Sequence, residues 1–336
     1  MKALFLKEAK KFEFQDISLE NSEEKITIKV KALGICGSEI SAYKGVFPLG
    51  IFPRTLGHEL AGEVVYAPEN AKGVVEGDHV VLEPYVYCGK CYPCSVGKTN
   101  ACENLEVIGV HRNGGYMEYY AHDKDLVHKI PKDMPFEYGA MVEPLTISLH
   151  GVHRANVKAG ECVVITGAGA IGILAAQYVK YLGAVPIVID PLDKRLELCK
   201  GLGIDHIINP SRQNAVDEIR EMTGGRMAEA LVEASGAVSA IKSAIDYVAY
   251  TGKVSLVGYS HGEIPLPTFM FTKKELDVNG SRNSANEFPL AIDLIDKGAI
   301  DVKAMITNLI DFEEMPAYFE KITNTPSEFI KVIAKL

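Results

Sequence analysis

Cys36, His58 and Glu59 lie close together near the start of the chain, in the motifs GICGS and GHE. Apolar, strand-like runs precede the first motif and follow the second. Thiolate, neutral imidazole and carboxylate form a ligand set that suits zinc, and a catalytic zinc usually takes three protein ligands and leaves a fourth position open. The alternative is a buried cysteine, a histidine that caps a turn and an exposed glutamate, and these residues alone do not decide between the two.

Four more cysteines follow in the motif CGKCYPC and shortly beyond it: Cys88, Cys91, Cys94 and Cys102. At these spacings, in a loop that contains glycine and proline, four thiolates can surround one tetrahedral metal ion. A site closed by four protein ligands leaves no position for a substrate, so we expect its role to be structural. Two disulfides or a redox pair are the alternatives.

A second carboxylate comes later, in the dipeptide Glu143-Pro144 within the helix-like stretch Pro135–Leu149. Pro144 is expected to interrupt a regular helix and to leave Glu143 at the break. A carboxylate at such a break is usually solvated. Beside the motifs above, it is a further candidate ligand for the metal.

Length and composition limit the class of protein. A chain of 336 residues exceeds what one hydrophobic core usually holds, which predicts two domains. Hydrophobic residues make up 47% and charged residues 24%, and the net charge of -9 argues against nucleic acid or an anionic membrane as a partner. No apolar run approaches the ~18 residues of a membrane span, and the start lacks the apolar core of a signal peptide. Seven mostly clustered cysteines fit metal binding in a reducing compartment, so we expect a soluble, cytoplasmic protein.

The chain shows two successive patterns. Up to about residue 128 it consists of short β-like runs separated by glycine and proline, which favours a barrel-like β domain. From Glu161 onward, β-like and helical segments alternate through six strands, which predicts a doubly wound parallel sheet.

A glycine-rich turn opens the second pattern. The run Cys162–Thr166 leads into GAGAIG, a helix over Ile171–Leu182 follows, and the next strand ends at Asp190. This order is typical of a dinucleotide site, in which the pyrophosphate lies on the helix N-terminus and the acid binds a ribose. Asp190 would repel a 2′-phosphate, which favours NAD over NADP, although Arg195 is near enough in sequence to soften that repulsion. The candidate cofactor-binding residues are Gly167, Gly169, Ala170, Ile171, Gly172, Asp190 and Arg195.

These motifs resemble the zinc-dependent medium-chain dehydrogenase/reductase family over essentially the full length of the chain. The matching motifs are GICGS, GHE, the four-cysteine cluster, Glu143-Pro144 and GAGAIG. Within the family, the chain is similar to the polyol and sugar-acid branch. The stretch Ile108–Gly115 and the segment Lys274–Asn283 resemble bacterial L-gulonate or L-galactonate 5-dehydrogenases.

The resemblance implies an α/β architecture with two domains. One is a GroES-like β-barrel catalytic domain, residues 1–145 together with 282–336, so the last segment returns to the first domain. The other is a Rossmann domain with a doubly wound parallel sheet, residues 146–281. The resemblance also implies a homodimer or homotetramer in which the exposed sheet edge near Val278 is paired.

The resemblance also implies the cofactors, which are NAD and about two zinc ions per chain. Cys36 and His58 match ligands of the catalytic zinc, and Glu59 and Glu143 are expected to share the remaining role. The metal polarises a substrate hydroxyl, and hydride passes from the carbinol carbon to the nicotinamide.

Ser38 is in place to take the proton of that hydroxyl. Many relatives carry a histidine three residues later, which relays the proton to solvent, but this chain has Ser41 there. Serine cannot act as a base at neutral pH, so the relay must use water, the ribose hydroxyls or another histidine.

A sugar acid needs a cation for its carboxylate, preferably an arginine, whose planar fork binds both oxygens. Arg282, which follows the last strand of the dinucleotide domain, and His111 are predicted to hold the carboxylate or distal hydroxyls of a six-carbon sugar acid. Arg112 and Asn283 are further candidate contacts. The alternative is that Arg282 pairs with a surface acid and His111 only caps a turn.

Two other functions are compatible with the same motifs. A threonine-type or simple secondary-alcohol dehydrogenase would differ in its substrate. A non-catalytic NAD-binding sensor would differ in its metal content, because about two zinc ions per chain support the enzyme and one structural zinc supports the sensor. The complete ligand set argues against lost activity and excludes a zinc-free quinone reductase.

Overall fold

The computed structural model describes residues 1–19, 23–47, 52–71, 73–260 and 262–336. The chain forms two compact units, passing from the first to the second after Glu143 and returning after Glu287. The first unit contains residues 1–143, 288–297 and 302–336, and the second contains residues 144–287 and 298–301.

Short strands dominate the first unit, and strands alternate with helices in the second. The strands are β1 (Lys2–Glu8), β2 (Lys11–Asp16), β3 (Lys25–Gly34), β4 (Arg54–Thr55), β5 (Leu60–Tyr66), β6 (His79–Leu82), β7 (Tyr85–Val86), β8 (Glu106–Val107), β9 (Tyr119–Asp123), β10 (Val127–Lys129), β11 (Cys162–Thr166), β12 (Val185–Ile189), β13 (His206–Ile208), β14 (Ala228–Glu233), β15 (Val248–Leu256), β16 (Asp277–Gly280), β17 (Ile306–Asp311) and β18 (Lys331–Lys335). The helices are α1 (Gly37–Tyr43), α2 (Tyr92–Ser95), α3 (Phe136–Gly139), α4 (Val142–Arg154), α5 (Ala170–Tyr181), α6 (Asp193–Gly201), α7 (Ala215–Met222), α8 (Val238–Tyr247), α9 (Thr268–Lys274), α10 (Phe288–Asp296) and α11 (Met315–Asn324). No helix in the described parts of the chain combines the length and apolarity that a bilayer crossing requires.

β3 is the central strand of the first unit. It pairs antiparallel with β5, and β9 and β18 pair with its first and last residues. The sheet runs β10-β6-β5-β3-β18-β17, and a smaller sheet runs β2-β1-β4. The C-terminal strand β18 therefore belongs to the sheet of the first unit.

Apolar residues from distant parts of the sequence form the core of the first unit. Leu4, Ile28, Leu60 and Phe319 are fully or almost fully buried in one cluster. Burying such side chains stabilises the fold by about 1.5–3 kcal/mol each. The ends of β3 and β5 are therefore held on a packed scaffold.

The second unit contains one parallel sheet in the order β13-β12-β11-β14-β15-β16. The strand order reverses between β11 and β14, which pair in parallel with Thr166 beside Glu233. This is the doubly wound sheet that the alternating pattern predicted, and the prediction is confirmed. In such sheets, ligands bind outside the carboxyl ends of the strands at the point of reversal.

The prediction that Pro144 interrupts a helix is wrong. α4 runs without a break from Val142 to Arg154, and Pro144 is its third residue. Proline is tolerated in the first turn because the N–H groups there have no partner within the helix. Glu143 therefore belongs to the first turn of α4, where the helix dipole favours a negative charge.

His122 on β9 makes the first unit sensitive to acid. Its side chain is buried, and Nε2 lies 2.8 Å from the Glu83 carbonyl oxygen, to which the neutral ring donates. Burial lowers the pKa of His122 to about 4. In the unfolded chain its pKa would be about 6.5, so between these values the unfolded chain binds a proton that the folded protein does not. The contribution of His122 to stability is therefore complete above the unfolded-state pKa and is lost as the pH falls toward the folded-state pKa.

We expect His122→Gln to flatten the acid side of the stability profile. Between about pH 6.5 and pH 4, the wild type should lose roughly 3 kcal/mol of unfolding free energy through this residue, and the variant should be spared that loss. Glutamine can still donate a hydrogen bond to the Glu83 carbonyl, so the substitution should cause little other loss of stability. Urea unfolding at closely spaced pH values measures both slopes, and equal slopes would contradict the assignment.

Candidate metal and dinucleotide sites

The first site lies where β3 ends and β5 begins. Leu33 pairs with Leu60, so the GICGS and GHE motifs that adjoin these residues come to lie side by side. Donor atoms of Cys36, His58 and Glu59 lie within 4.8 Å of one another, the cysteine half-buried and the other two buried. The structure therefore brings the three predicted donors together.

Gly34 permits this close approach. A Cβ atom at this position would lie 1.9 Å from Glu59 Oε2 and would force the carboxylate away. The Gly34 N–H donates to the Glu59 carbonyl oxygen at 2.9 Å. The glycine of the GICGS motif thus has a steric role at the site.

Glu39 orients the histidine and the start of α1. Its Oε1 lies 3.1 Å from His58 Nδ1 and accepts a hydrogen bond from the Gly57 N–H at 2.9 Å. Its Oε2 accepts hydrogen bonds from the Cys36 N–H at 3.0 Å and from the Tyr116 hydroxyl. Although burial alone raises it, the pKa of Glu39 is held below its ordinary value by the imidazole and these hydrogen bonds. A carboxylate beside Nδ1 leaves Nε2 available to a metal.

Lys331 on β18 holds Glu59. This lysine is only 4% exposed, and its Nζ lies 2.6 and 2.7 Å from the two Glu59 carboxylate oxygens. Burial opposes the charge on the ammonium, but Glu59 and Cys36 raise the pKa of Lys331 above its ordinary value. Both oxygens of Glu59 therefore have a cationic partner within the protein.

Glu143 is a third buried carboxylate near the site, and it lies outside the group of three donors that are within 4.8 Å of one another. Its Oε1 accepts a hydrogen bond from the Tyr85 hydroxyl, and both side chains are almost fully buried. Burial raises the pKa of Glu143 to about 7, the charge of Glu59 adds to the effect, and His58 and Tyr85 oppose it. A bound cation would favour the deprotonated form.

The charges of these groups fit a divalent metal. Glu39, Glu59 and Glu143 are all buried, and Lys331 is the only buried lysine or arginine among the described residues of this site. Uncompensated buried carboxylates are costly, and a divalent cation would offset the excess. Sulfur, nitrogen and carboxylate oxygen within reach of one point are also the donor types that zinc takes.

Ser38 and Ser41 differ in their contacts. The Ser38 hydroxyl donates to Cys36 Sγ at 3.3 Å, which places it beside a predicted ligand. The Ser41 hydroxyl donates to the Gly37 carbonyl within α1, at 3.1 Å. Ser41 therefore supports the helix.

The second group of donors is the four-cysteine cluster, and its ligand atoms also lie within 4.8 Å of one another. The cysteines are free, and the 3.4 Å between the sulfurs of Cys91 and Cys94 exceeds the ~2.05 Å of a disulfide. Backbone N–H groups lower the pKa of Cys88 to about 6, while burial and neighbouring thiols raise that of Cys94 to about 12. Four thiols held this close fit one tetrahedral metal.

The glycine-rich turn lies between β11 and α5. The helix begins at Ala170, one residue earlier than predicted, and Gly169 is its N-cap without a side-chain capping bond. A Cβ atom on Gly172 would lie 1.7 Å from the Gly167 carbonyl oxygen, so the helix can pack on the turn only with glycine there. The N–H groups of Ala170 and Ile171 lie in the first turn, where they have no partner in the helix and can bind an anion.

Asp190 follows β12 and is 3% exposed. Its Oδ2 accepts a hydrogen bond from the Ala168 N–H at 2.7 Å, and its Oδ1 accepts one from the Leu192 N–H at 2.8 Å. Arg195 Nη1 lies 3.8 Å from Oδ2. The acid therefore ties the end of β12 to the glycine-rich turn.

The predicted substrate contacts are split between the two units. His111 Nδ1 accepts a hydrogen bond from the Val107 N–H at 3.0 Å, as the turn-capping alternative expects, and Arg112 forms an ion pair with Glu106. Arg282 is exposed after β16, and Asn283 has a positive φ of 49°. Their roles toward a substrate remain predictions.

Four residues that contact the candidate ligands or their partners were not predicted from the sequence: Glu39, Tyr85, Tyr116 and Lys331. Each bonds to a partner that is remote in sequence or, for Glu39, to one in a different motif. The one available signal was Lys331, a lysine directly before the apolar run Val332–Ala334 of β18.

Two family profiles match the chain. The alcohol dehydrogenase GroES-like domain matches residues 22–132, and the zinc-binding dehydrogenase domain matches residues 170–297. An uncharacterized zinc-type alcohol dehydrogenase-like protein from Haemophilus influenzae is 45% identical over 94% of this chain and 92% of its own length. The chain therefore belongs to the zinc-type alcohol dehydrogenase family. It is an oxidoreductase with the zinc and nicotinamide cofactors of that family, and the predicted GroES-like and Rossmann folds are confirmed.

Other relatives carry more specific names. L-galactonate-5-dehydrogenase from Escherichia coli is 35% identical, over 90% of this chain and 89% of its own length. Starvation-sensing protein RspB from the same species is 35% identical, over 88% of this chain and 87% of its own length. A crystal structure of rspB from E. coli, complexed with NADH, has a TM-score of 0.93 at 31% identity and covers 100% of this chain and 99% of that one.

Proposed function

We propose that this protein transfers a hydride between a secondary hydroxyl of a polyol or sugar acid and NAD, with a hexonate such as L-gulonate or L-galactonate as the substrate. The observation that carries the proposal is the buried donor set in the first unit, complete with the groups that orient it. The name and similarity of the L-galactonate enzyme support the substrate class.

In this proposal, Cys36 and His58 hold the catalytic zinc, and Glu59 and Glu143 share the third protein position. Zinc would polarise the substrate hydroxyl and lower its pKa. Lys331 stabilises Glu59 as a carboxylate when it is away from the metal, since both oxygens contact the ammonium. The Ser38 hydroxyl would relay the proton of the substrate hydroxyl, accepting it while passing its own proton on to water, the ribose hydroxyls or another histidine. Its contact with Cys36 supports that role because it lies beside a proposed metal ligand.

The proposed cofactor preference is NAD over NADP. Asp190 Oδ2 accepts a hydrogen bond from the turn that would hold the dinucleotide, and a second negative charge beside this carboxylate is unfavourable. We expect kcat/KM with NAD to exceed that with NADP by at least about ten-fold. The test compares the two cofactors on the wild type, because replacing Asp190 would also remove two backbone hydrogen bonds. Comparable efficiencies would refute the preference.

The substrate proposal is tested by a screen and one variant. The wild type should oxidise a hexonate better than the matching uncharged alditol, threonine or simple secondary alcohols. Arg282→Ala should lower kcat/KM on the hexonate by about ten- to a hundred-fold and change the alditol little, since a charged hydrogen bond is worth roughly 1.5–3 kcal/mol. Similar losses of kcat/KM on both substrates would show that Arg282 does not bind a substrate carboxylate.

A matched control is Arg220→Ala on α7. Arg220 is also exposed, and its Nη1 pairs with Asp217 at 2.6 Å within the same helix. Arg220→Ala should leave the activities on the hexonate and on the alditol unchanged. If the wild type prefers the alditol, a sugar-acid substrate is ruled out and a polyol remains as the proposed substrate.

A non-catalytic sensor is the second candidate, since a relative is named a starvation-sensing protein. About two zinc ions per chain with turnover on any alcohol would support the enzyme. One zinc ion per chain with NADH binding and no turnover would support the sensor.

We also propose a homodimer or homotetramer in the cytoplasm. β16 pairs only with β15 in the described sheet, and Val278 on this edge is 38% exposed. Natural proteins usually cover such an edge. The free cysteines fit a reducing compartment. A monomer by light scattering at micromolar concentration would count against the oligomer.

A further inference from the structure

Glu233 is a buried carboxylate that the proposed chemistry does not use. It is the last residue of β14, and its exposure is 0%. None of the described lysines, arginines or histidines forms an ion pair with it. A buried carboxylate without a countercharge must be stabilised by hydrogen bonds.

Those hydrogen bonds come from the loop that follows β14. Oε1 accepts from the Ser235 N–H at 2.9 Å, from the Gly236 N–H at 3.0 Å and from the Ser235 hydroxyl. The Ser235 hydroxyl in turn accepts from the Ala237 N–H at 3.1 Å, immediately before α8. One carboxylate thus fixes the shape of the loop 234–237.

This loop packs against the glycine-rich turn. A Cβ atom on Gly167 would lie 2.9 Å from Ser235 Cβ, so the two backbones are in close contact. Thr166, which precedes the turn, donates through its hydroxyl to Glu233 Oε1 at 3.4 Å. Both loops lie at the carboxyl ends of β11 and β14, where the strand order reverses. Ligands of doubly wound sheets bind at this point.

We propose that Glu233 is a positioning residue for the dinucleotide: it locks the loop 234–237 against the glycine-rich turn and so preforms one wall of the cofactor site. This inference rests on the proposed binding of NAD at that turn. A preformed wall spares the complex the cost of ordering the loop, so losing it should weaken binding.

The experiment measures NADH affinity by fluorescence titration of the purified holoprotein. Glu233→Gln keeps the shape of the side chain, but it removes the charge that strengthens the hydrogen bonds at Oε1. It also replaces Oε2, which the Gly236 N–H contacts at 3.2 Å, by an amide that cannot accept a hydrogen bond. The Kd for NADH should rise about ten-fold. KM for NAD should rise by a similar factor with a smaller change in kcat.

The matched control is Glu229→Gln at the other end of β14. Glu229 also accepts a backbone hydrogen bond, from the Cys162 N–H at 2.8 Å, but it lies away from the carboxyl end of the strand. The control should lower the melting temperature comparably and leave the Kd for NADH unchanged. An equal loss of affinity in both variants would show a general stability effect and overturn the proposal.

If Glu233→Gln does not fold, Ser235→Ala serves as the variant, with the exposed Ser239→Ala as its control. Ser235→Ala should raise the Kd about three-fold, since one hydrogen bond to a charged group is lost. A folded Glu233→Gln or Ser235→Ala protein with the wild-type Kd would overturn this inference alone. A wild type that binds no NADH would overturn the proposed function together with it.

Discussion

Replacing Cys36 by serine should abolish dehydrogenase activity while the protein stays folded. Residues that only orient a metal ligand already cost about 10–100-fold when they are lost, so we expect the loss of a ligand to exceed a hundred-fold in kcat/KM. The hydrogen bonds of Glu39 to the Cys36 and Gly57 N–H groups do not involve the sulfur, so the loop should keep its shape.

Three measurements make this prediction specific. Zinc analysis should fall from about two ions per chain to one. The melting temperature of the variant should stay close to that of the wild type, because the metal of the four-cysteine cluster is kept. NADH binding should persist, because the glycine-rich turn belongs to the other unit. Full activity in a folded variant would show that the metal of the reaction is not held by Cys36.

Replacing Cys94 by serine should destabilise the fold, which Cys36→Ser should leave intact. The four sulfurs lie within 4.8 Å of one another in a segment with little regular structure, so a metal held by them supplies folding free energy that the local backbone does not. We expect a loss of more than about 4 kcal/mol, or failure to fold at 37 °C, as for other structural metal sites. Chelation of the wild type should destabilise the protein in the same way.

The matched control is Cys162→Ser on β11, a half-buried cysteine that belongs to neither cluster. It makes the same chemical change and should cost only about 1 kcal/mol. Denaturant unfolding with zinc analysis on the three proteins measures the contrast. If Cys94→Ser is as stable as the control and Cys36→Ser melts, the roles of the two sites are reversed.

Short-range spacing alone pointed to the four-cysteine cluster and to the glycine-rich turn of the dinucleotide site. The four cysteines lie close in sequence, so chain connectivity already forces their thiols into one loop. The order of strand, glycines, helix, strand and acid likewise places Gly167, Gly172 and Asp190 in a unit whose geometry follows from the parallel sheet. For these features, the local sequence determined both the elements and the chemistry they allow.

The organisation of the metal site was decided by the tertiary structure. Leu33 and Leu60 pair only because β3 and β5 form a ladder, and that ladder brings Cys36 to Glu59. Lys331 reaches Glu59 from the far end of the chain because β18 pairs with β3. No pattern within a short window can reveal such a contact.

The local environment of single residues was also decided only by the fold. Proline breaks a helix in its interior but not in its first turn, and where α4 begins depends on packing, so Pro144 misled the sequence prediction. The pairing of Glu143 with Tyr85, and that of Glu233 with its loop, depends on burial that brings side chains and backbone together in three dimensions. The sequence alone thus determined which donors the protein carries, and the folded structure decided which groups hold them in place, because that depends on contacts between residues far apart along the chain.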